Sequence, residues 1–204
     1  VYNADGLAAL VESATSADIY VLSDEVYRAL IYGDKTHVSP LSLALDEMKE
    51  RIFVVDGVSK TYAMTGWRVG FFAGPSDLMP ALAEIHHAFA ISTSAVGQHA
   101  ALAALTGPQE GVEEMRRTYA ERRRALCDGL TELGIPFAEP QGAFYVYARV
   151  AETGVEATAF CERLLTEGRV VDIQEEAAAP QRLRGRAPGV RGPPHARTGA
   201  RADR

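Results

Sequence analysis

Residues 54–75 have the sequence VVDGVSKTYAMTGWRVGFFAGP, which carries most of the information in this chain. Apolar runs predict one short strand over 52–55 and another over 69–73, and the small and polar residues between them predict a turn region around Lys60. We therefore expect Lys60 and Arg68 at neighbouring strand ends. An ammonium among Val, Met, Trp and Phe is costly to desolvate unless it is neutralised or bonded covalently. The pattern indicates a reactive amine or, as the plainer alternative, a lysine that points into solvent.

A second informative motif is SDEVY at 23–27. It follows a predicted helix over 6–17, with Asp5 as its N-cap, and an apolar run over 19–22 that is typical of a parallel strand covered on both faces. Functional groups of open α/β sheets lie at the carboxyl ends of the strands, where Asp24 is expected. The residues alone are equally compatible with Asp24 as the N-cap of a following turn.

The segment SKTYAMTGWRVG at 59–70 resembles the Schiff-base segment of the class I and II aminotransferases, which are fold-type I enzymes that depend on pyridoxal phosphate. The resemblance implies that Lys60 binds the cofactor aldehyde and that Arg68, eight residues on, binds the cofactor phosphate. It also allows the Ser59 hydroxyl to contribute to the phosphate site. Gly57 departs from the pattern, because some relatives have a phosphate-binding serine at that position.

The SDEVY motif resembles a second segment of the same family, and its distance from Lys60 also fits. The resemblance implies that Asp24 pairs with the pyridine nitrogen of the cofactor and that Tyr27 binds the ring hydroxyl. Lys60 is then the catalytic Schiff-base lysine, which condenses with the cofactor and carries the substrate proton. The implied function is transamination between an amino acid and a 2-oxo acid.

The resemblance also implies an α/β fold of the fold-type I transferase class. Such a fold has a three-layer α/β/α large domain with a mainly parallel sheet, here with part of a smaller α+β C-terminal domain. We expect residues 1–110 in the cofactor-binding large domain, 111–133 as a long connecting helix and 134–176 in the partial small domain. Residues 177–204, rich in Ala, Arg, Gly and Pro, are predicted to be disordered, because they bury too little to offset their chain entropy.

Periodicity predicts the remaining elements. Helices are expected over 43–50, 77–90, 98–106 and 158–167, and strands over 142–148 and from 169 onward. The longest helix is expected to begin at Pro108. Its arginines, interleaved with glutamates, predict a solvated face with local ion pairs; they are Arg116, Arg117, Arg122, Arg123 and Arg124.

Composition narrows the function classes. A formal net charge of −6 with 47% hydrophobic residues is typical of an acidic globular protein and gives no sign of a nucleic-acid groove. No stretch approaches the roughly 20 apolar residues that span a bilayer, and no signal-peptide pattern opens the chain. Cys127 and Cys161 lack metal-ligand spacing. We therefore expect reduced thiols, no metal, no membrane contact and a cytoplasmic location.

Two explanations remain for the basic composition of residues 177–204. One is a basic arm for nucleic acid or other acidic surfaces. The other, which we favour, is a change of reading frame in GC-rich DNA, because GC-rich codons read in an unintended frame encode Ala, Arg, Gly and Pro. The resemblance covers about 2–171, without the family's Asn-Pro-x-Gly motif or its arginine for the substrate carboxylate. We therefore expect an aminotransferase fragment that lacks the N-terminal part and the native C-terminal end and is poorly active alone.

Two alternatives to transamination stay open. The same site serves lyases and decarboxylases, since fold and cofactor do not determine which bond at Cα breaks. Some transcriptional regulators also carry an aminotransferase-like sensor domain behind a DNA-binding winged helix, of which residues 1–176 give no sign. The resemblance further implies a homodimer for the full-length protein.

Overall fold

The computed structural model describes residues 1–171, except for the side chain at position 47. The helices are α1 Ala4–Ser16, α2 Pro40–Leu43, α3 Asp46–Lys49, α4 Val58–Thr61, α5 Met79–Ala90, α6 Ala95–Thr106, α7 Glu110–Glu132 and α8 Ala157–Thr166. The strands are β1 Val21–Asp24, β2 Ile52–Gly57, β3 Gly70–Ala73, β4 Phe137–Ala138 and β5 Tyr147–Ala148. Short 3-10 turns occupy Thr65–Trp67 and Val150–Thr153. This mixture confirms the α/β class.

The chain forms two compact units, Val1–Thr153 and a second that begins at Gly154. Each has its own helices, and α8 belongs to the second unit. The domain limits expected from the sequence, with 111–133 as a connection between domains, stay predictions. The tail predicted over 177–204 lies outside the described residues.

The main sheet has the order β1-β2-β3. Strands β1 and β2 are parallel, with Asp24 opposite Val55, and β2 and β3 are antiparallel, with Gly57 opposite Gly70. The carboxyl ends of β1 and β2 and the amino end of β3 therefore lie at one edge. This edge carries the two sequence motifs.

The core of this unit lies where α1 and the two short helices pack on the sheet. Val11 of α1, Ala44 and Ile52 of β2 form a buried cluster. The helix predicted over 6–17 is confirmed, but its N-cap is Asn3 and not Asp5. Asn3 has an extended backbone, and its Oδ1 accepts a hydrogen bond from the Gly6 N–H at 2.7 Å.

Several predicted elements differ in the structure. The strand over 19–22 was expected to be covered on both faces, but Leu22 is 63% exposed. The helix over 43–50 is divided into α2 and α3, because the backbone is extended at Ala44 and Leu45. Within the described residues no strand begins at 169.

The strand predicted over 142–148 is reduced to β5 and an isolated bridge between Gly142 and Ile31. Ala143, with φ 58°, takes a left-handed backbone conformation that cannot continue a strand. The apolar run predicted a continuous strand, but the pairing of its residues depended on this one backbone angle.

The long helix is confirmed as α7, but its arginine face is only partly solvated. Arg116 forms the expected local ion pair with Glu113, yet its Nη1 also donates to the carbonyl oxygen of Ile31 at 3.2 Å. Arg123 donates from Nε to the Pro140 carbonyl at 2.5 Å and pairs with Glu139. Helical spacing predicts which residues share a face but not which loop packs there.

Two negative observations apply to the described part of the chain. No helix in it is both long and apolar enough to cross a membrane. Nor do its His, Cys, Asp and Glu side chains form a group of three that could hold a metal ion.

Candidate functional site

Lys60 is positioned by the transition from β2 to α4. Gly57 ends β2 and begins this turn, and a Cβ at Gly57 would lie 3.0 Å from the Val69 carbonyl oxygen and 3.1 Å from Gly70 Cα. The backbone of the segment entering β3 therefore approaches so closely that a larger residue would displace it. This contact gives a physical reason for the glycine that departs from the family pattern.

The amine of Lys60 lies against aromatic rings. Its Nζ is 5.7 Å from the ring centroid of Tyr27 and 5.4 Å from that of Phe144, and the side chain is half-buried. Such cation–π contacts each contribute about 0.5–2 kcal/mol. No ion pair joins Lys60 to a described acidic side chain. The two rings therefore hold the amine in place, and no described carboxylate pairs with it.

Asp24 is the last residue of β1 and is exposed. Its Oδ1 accepts a hydrogen bond from the Val26 N–H at 3.2 Å. Asp24 therefore caps the following turn, which is one of the two roles that the sequence left open. Its carboxylate can still bind a further partner, because a carboxylate accepts several hydrogen bonds.

Tyr27 faces both the amine and a second tyrosine. Its hydroxyl lies 2.8 Å from the hydroxyl of Tyr145, and its ring makes an edge contact with Phe144 at 5.3 Å between centroids. Burial raises the pKa of Tyr27, and the hydrogen bond to Tyr145 and the negative charge of Asp24 raise it further. The phenol keeps its proton at neutral pH and can act as a donor.

Ser59 and Arg68 are joined through Thr65. The Thr65 hydroxyl donates to the Ser59 carbonyl at 3.1 Å, and Arg68 Nη1 donates to the Thr65 carbonyl at 3.1 Å. Arg68 has a left-handed backbone with φ 54°. Its exposed side chain lines a cavity of about 690 Å³ beside Trp67, whereas Asp24 and Tyr27 line a different one of about 640 Å³.

The structure therefore brings four of the five predicted residues to one sheet edge, namely Asp24, Tyr27, Ser59 and Lys60. Lys60 Nζ lies over the Tyr27 ring, and Asp24 lies at the end of β1, which pairs with β2. Ser59 precedes Lys60 in α4, and Arg68 opens onto its own cavity. The site roles of these residues stay predictions.

Sequence reasoning missed Phe144 and Tyr145, which complete the aromatic surroundings of Lys60 and Tyr27. The available signal was the apolar run over 142–148, which predicted a strand. Reasoning also missed the ion pair between Arg28 and the buried Asp56, which ties the SDEVY segment to the end of β2. Asp56 additionally accepts the Gly57 N–H at 2.6 Å.

Glu25 forms a buried polar cluster at this edge. It is 7% exposed and accepts hydrogen bonds from Ser39 Oγ at 2.5 Å and Ser23 Oγ at 3.0 Å, and His37 Nε2 lies 2.8 Å from its Oε2. Burial alone would raise the pKa of Glu25, but the hydrogen bonds from Ser39, His37 and Ser23 outweigh burial and lower it. The cluster fastens the loop after β1 next to Asp24.

The lowered pKa of Glu25 predicts a stability that falls with acid. The unfolded chain binds the Glu25 proton at higher pH than the folded chain does, so ionised Glu25 stabilises the fold above the ordinary glutamate pKa of about 4.3. This contribution is lost as the pH falls through the lower pKa of the folded chain. We expect Glu25→Gln to reduce the free energy of unfolding at pH 7 by about 1–3 kcal/mol and to flatten the acid limb.

Urea unfolding followed by circular dichroism between pH 3 and 7 would measure both effects. The control is Glu12→Gln, which changes an exposed carboxylate of α1. Equal acid limbs for Glu25→Gln and the parent chain would contradict the prediction.

Comparisons with known proteins agree with each other. The profile of the aminotransferase class I and II family matches residues 1–190. Aspartate aminotransferase of Geobacillus stearothermophilus is 35% identical over 191 residues, covering 90% of this chain and 48% of that protein. Aromatic-amino-acid aminotransferase 2 of Thermococcus litoralis is 37% identical, covering 84% of this chain and 44% of that protein.

A solved structure gives the same result. The aromatic aminotransferase of Pyrococcus horikoshii is similar with a TM-score of 0.79 and 39% identity, over 84% of this chain and 46% of that one. This likeness confirms the fold-type I class expected from the sequence. The chain spans about half the length of the curated relatives it matches.

Proposed function

Because this chain belongs to the aminotransferase class I and II family, we propose that it carries the cofactor site of an enzyme that exchanges the amino group of an amino acid with a 2-oxo acid. Members of this family depend on pyridoxal phosphate. The observation that carries the proposal is the half-buried amine of Lys60, held on the rings of Tyr27 and Phe144 beside the strand end of Asp24.

The groups at the sheet edge suit this cofactor chemically. Pyridoxal phosphate presents an aldehyde, a ring nitrogen, a ring hydroxyl and a phosphate. The edge offers an amine, a carboxylate and a protonated phenol, and the guanidinium of Arg68 opens onto a separate cavity. In addition, Thr61 Oγ1 is buried and has no hydrogen-bond partner among the described residues. It remains available to a bound polar group, since buried hydroxyls are normally paired.

Each residue then has a defined task. Lys60 Nζ would bind the aldehyde carbon and, as a free amine, would take the proton from Cα of the amino acid. Asp24 would hold a proton on the ring nitrogen, and the Tyr27 phenol would donate to the ring oxygen. Arg68 would bind the phosphate through its planar fork, with Ser59 adding a hydroxyl. When bound, the cofactor supplies an electron sink for the charge that develops at Cα.

The test is the absorption spectrum of the purified chain with pyridoxal phosphate, followed by borohydride reduction and peptide mapping. We expect a reducible band with the label on Lys60 in preference to the other two lysines, Lys35 and Lys49, which are exposed. Equal labelling of all three lysines would overturn the proposal for this chain.

Substrate addition then distinguishes the reaction types. Loss of the band with an amino acid, and its return with a 2-oxo acid, is expected for transamination. A lyase or decarboxylase would turn over without the 2-oxo acid, and a sensor domain would keep the band without turnover. The homodimer and the cytoplasmic location expected from the sequence are part of this proposal and would be tested on the full-length protein.

A further inference from the structure

The segment 139–143 leads directly into Phe144 and Tyr145, the two aromatic residues that face Lys60 and Tyr27. Its last residue, Ala143, has φ 58°. This left-handed conformation is unfavourable for a residue with a Cβ atom. Other contacts must therefore hold the backbone there.

Tyr32 supplies one set of these contacts. It is 4% exposed, and its hydroxyl donates to the Ala143 carbonyl at 2.5 Å. Its N–H donates to the Gln141 carbonyl at 3.0 Å, and the Ala143 N–H donates to the Leu30 carbonyl at 2.8 Å. Burial raises the pKa of Tyr32, so that its hydroxyl keeps the proton that it donates.

Arg123 of α7 supplies the other set. Its Nε donates to the Pro140 carbonyl at 2.5 Å, and its guanidinium also pairs with Glu139. The guanidinium carbon lies 5.4 Å from the ring centroid of Tyr32. Arg123 thus holds the start of the segment and packs on the tyrosine that holds its end.

We propose that Tyr32 and Arg123 are positioning residues of the Lys60 site. They keep segment 139–143 in the conformation that turns Phe144 onto the amine of Lys60 and brings the Tyr145 hydroxyl to Tyr27. Neither residue shares a hydrogen bond, ion pair or ring contact with Lys60, and both act through the backbone of the segment. The placement of Phe144 and Tyr145 by these two residues does not depend on the cofactor, whereas its importance for catalysis rests on the proposed function.

The three lysines of the chain allow a direct test without cofactor. Reductive methylation of the full chain with ¹³C-formaldehyde gives N-methyl signals for Lys35, Lys49 and Lys60 beside that of the N-terminal amine, and a Lys60→Arg sample assigns the Lys60 signal. Because Lys60 Nζ lies over two rings, we expect ring currents to shift its signal upfield of the two exposed lysines.

The informative variant is Tyr32→Phe, which removes the hydroxyl and keeps the ring. We expect the Lys60 signal to move at least half of the way toward the exposed lysines, with an unchanged circular dichroism spectrum. Tyr20→Phe is the matched control, because Tyr20 is a half-exposed tyrosine that packs on Phe53. Its Lys60 signal should stay in place.

Arg123→Gln repeats the test from the other side of the segment without adding a further amine, and it remains available should Tyr32→Phe not fold. It should move the Lys60 signal in the same direction, whereas Arg124→Gln, at the next and exposed position of α7, should not. Adding Ala143→Gly to Tyr32→Phe should restore at least half of the lost shift, since glycine adopts positive φ readily.

The outcomes separate this inference from the proposed function. The positioning role would be overturned by an unshifted Lys60 signal in the parent chain, by an unchanged signal in the folded Tyr32→Phe and Arg123→Gln variants, or by no recovery with Ala143→Gly. A chain with the expected shifts that fails to bind pyridoxal phosphate at Lys60 would keep the positioning role and lose the proposed function.

Discussion

Replacing Lys60 with arginine is expected to abolish both the reducible absorption band and the pyridoxal phosphate label at this site. Arginine keeps a cation over the rings of Tyr27 and Phe144, but its guanidinium stays protonated and cannot condense with an aldehyde at neutral pH. We expect the loss of label to be complete, with little change in the free energy of unfolding. Spectroscopy and peptide mapping under the conditions used for the parent chain measure it.

The matched control is Lys49→Arg. Lys49 is exposed and pairs with Asp46 at 2.9 Å, a surface ion pair that arginine can maintain. This variant should label like the parent chain. Retention of the band by Lys60→Arg, or its loss in Lys49→Arg, would refute the assignment of Lys60.

Truncating Ile52 is expected to destabilise the fold strongly. Ile52 is 1% exposed and packs with Val11 and Ala44 in the buried cluster. Ile52→Ala removes buried methylene groups and leaves a cavity, which costs about 2–5 kcal/mol, whereas Ile52→Val should cost about 0.5–1.5 kcal/mol. Urea unfolding followed by circular dichroism measures both.

Ile52→Ala should also affect labelling at Lys60, because β2 leads into the helix that carries Lys60. Weaker labelling of Lys60 is therefore expected near the unfolding midpoint of Ile52→Ala. The control is Leu22→Ala on the neighbouring strand, where the side chain is 63% exposed and the cost should stay within about 0.5 kcal/mol. Equal unfolding free energies for the two alanine variants would contradict this account of the core.

Local patterns were sufficient to predict the sheet edge. The apolar run before Gly57 and the turn residues after it predicted a strand that ends near Lys60, and the run before SDEVY predicted another that ends near Asp24. Both strands are present, in parallel register. Strand ends of this kind can be predicted from sequence because they depend on residues that are close together in the chain.

Predictions failed where one backbone angle or one distant contact determined the result. Ala143 could not be recognised as left-handed, because alanine carries no local signal for that conformation. The arginines of α7 had the spacing of a solvated face, yet Arg123 binds the Pro140 carbonyl. Glu25 was a member of a motif and gave no sign of a cluster with His37 and Ser39.

The amino-acid sequence was enough to predict the family and the α/β class and to single out Lys60 as the candidate reactive amine, because motifs and apolar periodicity are local properties of the chain. The surroundings of that amine depended on folding. Phe144 reaches Lys60 from a distant segment, which is held by a part-buried hydrogen bond between Tyr32 and Ala143. Contacts of this kind join residues that are far apart in sequence, and they form only when packing brings their backbones together.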